Sequence, residues 1–122
     1  MLVLTLSTQA SAADSYANLY DSNSPTGGIS AMMQHVDDGD HFRVHDWHSD
    51  GHGVRGYLDV VDAVYGGYRR VHSSYNGKGA GTYTEFSYNV LEGKQYRMRV
   101  CTVDGLEDTT PVRCSADVVF HE

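Results

Sequence analysis

Apolar and polar residues alternate with a period of two along most of the chain. In "VRGYLDV" (54–60), Val54, Leu58 and Val60 fall on one side of an extended backbone, and Arg55, Tyr57 and Asp59 on the other. "TYTEFSYNV" (82–90) sets Phe86, Tyr88 and Val90 against Glu85, Ser87 and Asn89. "QYRMRVCTV" (95–103) sets Tyr96, Met98 and Val100 against Arg97, Arg99 and Cys101. "VRCSADVVF" (112–120) reads as the last strand, with Val112, Cys114, Ala116, Val118 and Phe120 on one face. Such alternation marks half-buried strands, because successive side chains point to opposite faces. "ISAMMQHV" (29–36) and "YRRVHSSYN" (68–76) are less cleanly patterned, and their core faces stay open.

Turn-forming clusters separate these runs: "DSNSPTGG" (21–28), "DDGD" (37–40), "HSDGHG" (48–53), "YGG" (65–67), "NGKGAG" (76–81), "EGK" (92–94) and "DGLEDTTP" (104–111). Short strands at this beat predict an all-β domain, an antiparallel β-sandwich of seven or eight strands in two sheets. "DAVYGG" (62–67) could hold a helical turn, cut short by its two glycines. The 122 residues fit one domain, and a hydrophobic fraction of 40% is enough to form a core. Thirteen glycines and nine tyrosines agree with strands and turns rather than helices.

The formal net charge of −7 argues against a nucleic-acid partner, and no basic stripe runs along the sequence. Protonating all seven histidines would bring that charge to 0, so self-association could change between about pH 7 and 5. At the N-terminus, the apolar run Leu2 to Leu6 and the small residues "ASAA" (10–13) resemble the later parts of a secretory signal, without its basic start. Residues 1–13 are therefore expected to be a partial signal peptide and 14–122 the mature, secreted domain. No later stretch approaches the ~20 apolar residues of a membrane span. In an oxidising compartment Cys101 and Cys114 are expected to form a structural disulfide stapling the last hairpin.

"HFRVHDWHSDGHG" (41–53) carries four of the seven histidines. His41 and His45, and again His48 and His52, have the H-x-x-x-H spacing of zinc helices, but Phe42 and Ser49 stand where a zinc peptidase needs Glu. "HFRVHDW" alternates like a strand, and four residues of strand span roughly 13 Å, too far for one ion. The loop group Asp46, His48, Asp50 and His52 could curl round a divalent metal: Zn²⁺, Cu²⁺ or Ni²⁺ for the mixed set, Ca²⁺ for the carboxylates. The plainer expectation is that Asp46 and Asp50 cap a turn. Trp47 is expected to anchor the core, with an exposed platform as the alternative. Tyr57, Tyr68, Tyr75 and Tyr83 could form an aromatic strip for sugar rings, or be ordinary strand tyrosines. There is no G-x-S-x-G elbow, and "NGKGAG" lacks the Lys-Ser/Thr of a phosphate loop.

Taken together, "GDHFRVHDWHSDGHGVRGYL", "NGKGAGTYTEFSYNVLEGKQYRMRVCTVDG" and "CSADV" resemble a family of small exported proteins of actinomycete bacteria such as streptomycetes. Asp46, Asp50, Gly51, His52, Cys101 and Cys114 match the family pattern over most of residues 27 to 118. Relatives often carry Cys where this chain has His45, which implies the loss of a second disulfide here. The family has no assigned activity, so the resemblance implies export and a β-sandwich and supplies no catalytic residue.

The function expected is a non-enzymatic extracellular binding module, with Trp47, Tyr57, Tyr75 and Tyr83 as contact residues and an extracellular protein or glycan as partner. A proteinase inhibitor using the 102–113 loop belongs to the same class. The alternatives are a metal-binding protein built on the Asp46–His52 loop and a small hydrolase with a His/carboxylate pair.

Overall fold

The computed structural model describes residues 14–20, 28–48, 52–62, 64, 66–108, 110–111 and 113–121. Nine strands are present among them: β1 (Ser15–Tyr20), β2 (Ile29–Val36), β3 (His41–Asp46), β4 (Gly53–Asp62), β5 (Gly67–Asn76), β6 (Thr82–Ser87), β7 (Gln95–Val103), β8 (Arg113–Cys114) and β9 (Val118–His121). They form two antiparallel sheets, ordered β1-β2-β3-β6 and β5-β4-β7-β8, with β9 also paired to β7. The signal-like segment 1–13 lies outside the described residues.

Period-two alternation determines which faces meet. Val54, Leu58 and Val60 of β4 and Tyr96, Met98 and Val100 of β7 are buried against Ala31 and Met33 of β2 and Phe42 and Val44 of β3. The less patterned "ISAMMQHV" turns Ala31, Met33 and His35 inward, so a histidine takes a core position. Its ring lies 4.7 Å from that of Phe42 and 4.9 Å from that of Phe120. In "YRRVHSSYN" a register shift opposite Leu58/Asp59 explains the broken pattern. Arg70 and Ser73 both end on the outer face, with Val71 packed against the core.

Two inner-face residues set how closely the sheets approach. A Cβ on Gly56 would sit 2.6 Å from Val44 Cγ2 and 2.9 Å from Met33 Sδ, so only glycine fits at this crossing. Asn76, fully buried at the end of β5, reaches across to the other sheet. Its Nδ2 donates to Val44 O and Thr82 O, both at 3.1 Å, and its Oδ1 accepts from Lys78 N at 2.9 Å. Every polar atom of that side chain is thereby satisfied, as burial demands.

The last run differs from expectation. It divides into β8 and β9 on the same edge of β7, because Ser115 breaks the ladder. Its Oγ accepts from Val100 N at 3.1 Å while its own N–H donates to Val100 O at 2.8 Å. Cys114 is consequently exposed rather than inward-facing, and it lies directly opposite Cys101, to which it is disulfide-bonded. This division and the additional strand β1 bring the count to nine. No helix occurs among the described residues; the 62–67 segment, partly described, turns between β4 and β5.

Gly56→Ala should lower the unfolding free energy by about 1–3 kcal/mol through overpacking at the sheet crossing, read as a fall in urea midpoint. Replacing Cys101 and Cys114 together by alanine should cost about 2–3 kcal/mol in the same assay, reflecting release of a short loop in the unfolded chain.

Candidate binding face

The outward positions of β4, β5 and β7 gather residues far apart in the sequence. Strand pairing places Tyr57 beside Ser73 and Arg99, Asp59 beside Arg70 and Arg97, and Arg55 beside Tyr75. Four of the chain's seven arginines thus share one sheet face, although the sequence contains no basic run. Each guanidinium lies over a tyrosine ring: Arg97 on Tyr68 at 4.0 Å, Arg70 on Tyr57 at 4.4 Å, Arg99 on Tyr57 at 5.3 Å and Arg55 on Tyr75 at 5.4 Å. Such contacts hold the long side chains in place while leaving their donors available.

The charges on this face are unevenly matched. Asp59, only 5% exposed, accepts from Arg70 on Oδ1 and from Arg97 on Oδ2, the latter through Nε at 3.1 Å and Nη2 at 2.7 Å. Burial pushes the Asp59 carboxyl up, but the hydrogen bonds and charges of Arg70 and Arg97 outweigh it and hold the group below its ordinary value. Its hydrogen bond, against a smaller opposing effect of burial, raises the Arg97 guanidinium above its own ordinary value. Asp117 lies 3.7 Å from Arg97 at the margin. Arg55 and Arg99, by contrast, have no carboxylate within ion-pair distance among the described residues, and the Nε of each is buried without a hydrogen-bond partner. Arg55 does donate to Leu106 O. It also contributes weakly to Asp108, whose carboxyl is held at about 2, first by the Thr110 hydroxyl and then by the N–H groups of Asp104 and Thr110.

A cleft of about 320 Å³ opens over Tyr57, lined by Arg55, Tyr57, Arg70, Ser73, Leu106 and Glu107. It therefore offers guanidinium donors, a hydroxyl, a carboxylate and an apolar side chain together. Tyr75 stands at the end of this face, and its ring covers Gly53 and Gly77: a Cβ on either would meet the ring at 2.5 to 2.6 Å.

Of the tyrosines singled out in the sequence, Tyr57 and Tyr75, with Tyr68, lie on this face, whereas Tyr83 lies on the outer face of the other sheet. The aromatic strip is thus split between opposite sides of the sandwich. Tyr83 there meets His45, with ring centroids 5.1 Å apart, and Arg43 at 5.1 Å. Trp47 is half-buried beside His45 and does not join the core, although its backbone N–H still donates to Ser30 O of β2 at 2.9 Å. Burial, then the charge of Arg43, lowers the His45 imidazole below its ordinary value.

Of the loop set, Asp50 lies outside the described residues. Asp46 is buried and its Oδ1 accepts from His48 N at 3.3 Å, the capped turn expected of it. His52 pairs instead with Asp104. These three do not converge as metal ligands.

A different trio does: His35, Asp37 and Asp40 place ligand atoms within 4.8 Å of one another. Its surroundings oppose a metal, however. His35 Nε2 lies 3.0 Å from Asp40 Oδ1, and its Nδ1 is buried with no hydrogen-bond partner among the described residues. A cation on Nε2 would move the ring proton to Nδ1, where nothing accepts it, whereas metal-bound histidines ordinarily donate that proton to an acceptor. Asp40 is instead a backbone bracket, accepting from Val90 N at 3.0 Å.

For hydrolysis, Ser87 Oγ lies 3.2 Å from His41 Nδ1, but the two are cross-strand neighbours on an exterior face. No described carboxylate pairs with His41 to orient the ring, so the arrangement lacks the third member that such chemistry uses. Comparison with protein families, curated proteins and solved structures gives no match.

Asp59→Asn should destabilise the fold by about 1–2 kcal/mol, a loss of charge-assisted hydrogen bonds moderated by the partial exposure of Arg70 and Arg97. Because the folded Asp59 carboxyl is depressed, its contribution is complete above the unfolded value of about 3.9 and is lost as pH falls through the lower folded value. The stability difference between wild type and variant should therefore hold at neutral pH and shrink as pH falls below about 4, measured by urea unfolding.

Proposed function

We propose that the protein is a non-enzymatic extracellular binding module, whose ligand carries negative charge and docks on the outer face of β4, β5 and β7. The observation that carries this reading is the pair Arg55 and Arg99: two guanidiniums braced on tyrosine rings, without a carboxylate partner, beside the Tyr57 cleft. The ring contacts hold these guanidiniums in place, and their outer N–H groups are the donors a bound anion would meet. Export is supported by the apolar N-terminal run and by a disulfide, which persists in oxidising compartments.

The reading is tested with three polymers, polygalacturonate, polyglutamate and dextran sulfate, by titration calorimetry at two salt concentrations. At least one should bind, more weakly in higher salt, and Arg55→Gln with Arg99→Gln should reduce that affinity about tenfold or more. Arg43→Gln, on the opposite sheet, should leave it unchanged. Equal loss in the Arg43 variant would show that binding is diffuse, and no binding to any polymer would overturn the reading.

A further inference from the structure

On the reading that this face is the binding surface, its chemistry narrows the ligand further. We infer that the cleft over Tyr57 accepts a uronate, a sugar ring bearing one carboxylate, within an acidic polysaccharide.

Three features select this chemistry. First, the spare charge is small and local. Arg70 and Arg97 are engaged by Asp59, which leaves Arg55, in the cleft lining, and Arg99, over the Tyr57 ring beside it, without a carboxylate partner among the described residues. The whole chain carries −7. A nucleic-acid duplex, with one charge per about 1.7 Å of axis, would extend past the face and meet repulsion, whereas a polyuronate spaces its carboxylates one sugar ring apart and puts one of them at the guanidiniums. Their planar forks match a carboxylate in two-point contact.

Second, the lining is not purely cationic. Ser73 and Glu107 border the cleft together with Arg55 and Arg70. Glu107 can accept hydrogen bonds from sugar hydroxyls, which an acidic peptide side chain does not offer. The Ser73 hydroxyl can donate as well as accept, which a polyhydroxylated ring uses and a run of acidic side chains does not.

Third, the remaining contacts are apolar or aromatic in character. Leu106, 64% exposed, forms one wall, and Tyr57 forms the floor beneath its two guanidiniums. The C–H face of a sugar ring has an apolar surface to lie against Leu106 while its carboxylate meets the arginines. Small-ligand sites combine these elements in the same way, with an apolar lining and a few polar groups fixing orientation.

The test uses the chain labelled with ¹⁵N and four probes: tetragalacturonate, its methyl ester, tetraglutamate and a sulfated disaccharide. Tetragalacturonate should move the amide signals of residues 55–57, 70–73, 97–99 and 106–107, and the uncharged methyl ester should not. Arg99→Gln should weaken tetragalacturonate at least tenfold. Ser73→Ala, which leaves every charge in place, should weaken it severalfold while the chain's melting curve stays superimposable on wild type. Equal or tighter binding of tetraglutamate or the sulfated disaccharide at this face would overturn the uronate assignment and leave the anion-binding surface standing. Binding of the methyl ester as tightly as the acid would overturn the role of charge. Absence of shifts with all four would overturn both.

Discussion

The rest of the molecule depends on how closely its two sheets approach at Gly56. Val44 and Met33 from the first sheet fill the space that a side chain on β4 would occupy, so the backbone itself becomes the core surface there. This fixes the phase of β4. With Val54, Gly56, Leu58 and Val60 committed inward, Arg55, Tyr57 and Asp59 are committed outward, because a slip of one residue would invert every position. Asn76 locks the same geometry from the side, since its amide spans both sheets and has no slack for a shifted register.

On the outer face the consequence is electrostatic. β4 lies between β5 and β7, so its three outward residues meet neighbours from both sides, and those neighbours are mainly arginine, tyrosine and serine. Asp59 then partitions the arginines. Two share the single buried carboxylate of Asp59; two are held by aromatic contacts and, for Arg55, a backbone carbonyl. A single buried acid thus separates structural cations from those available to a ligand. The tyrosines contribute in both groups, since a guanidinium over a ring keeps most of its in-plane donors unblocked.

Much of the fold was legible in the sequence because it is written in local alternation. "VRGYLDV" and "QYRMRVCTV" declare their inner faces without any knowledge of neighbours, and the glycine- and aspartate-rich turns delimit them. "YRRVHSSYN" cannot be read in this way, since its register shift depends on the strand opposite. The division of the last run was hidden for a similar reason: the Ser115 hydroxyl substitutes for a ladder partner only once β7 is beside it. The site was less legible still. Arg55, Arg70 and Arg99 occur in three separate segments, and none stands out within its own. The R-x-Y-x-D of β4 and R-x-R of β7 carried the signal at period two, but strand adjacency is needed to join them. Conversely, the dense histidine stretch stands out through composition alone. The strand geometry of β3 sends His41 and His45 outward, and His52 pairs with Asp104, so among the described residues of this stretch proximity in sequence does not by itself bring the histidines together.

The contrast between an acidic chain and a basic face also bears on selectivity. A surface that was cationic throughout would attract any polyanion, with affinity set by charge density rather than by fit. Glu107 in the cleft lining and Asp117 at the margin of the face oppose the approach of a densely charged polyanion. On the proposed reading, discrimination would come as much from what these carboxylates reject as from what Arg55 and Arg99 attract. The proposed interaction would be sensitive to ionic strength in both directions: salt weakens attraction at the arginines and also relaxes repulsion by the carboxylates. A ligand with sparse charge gains little from that relaxation and loses the attraction, whereas a dense polyanion recovers part of what it loses. Salt dependence is thus itself a signature of charge spacing in the ligand, set by the few carboxylates that border this face.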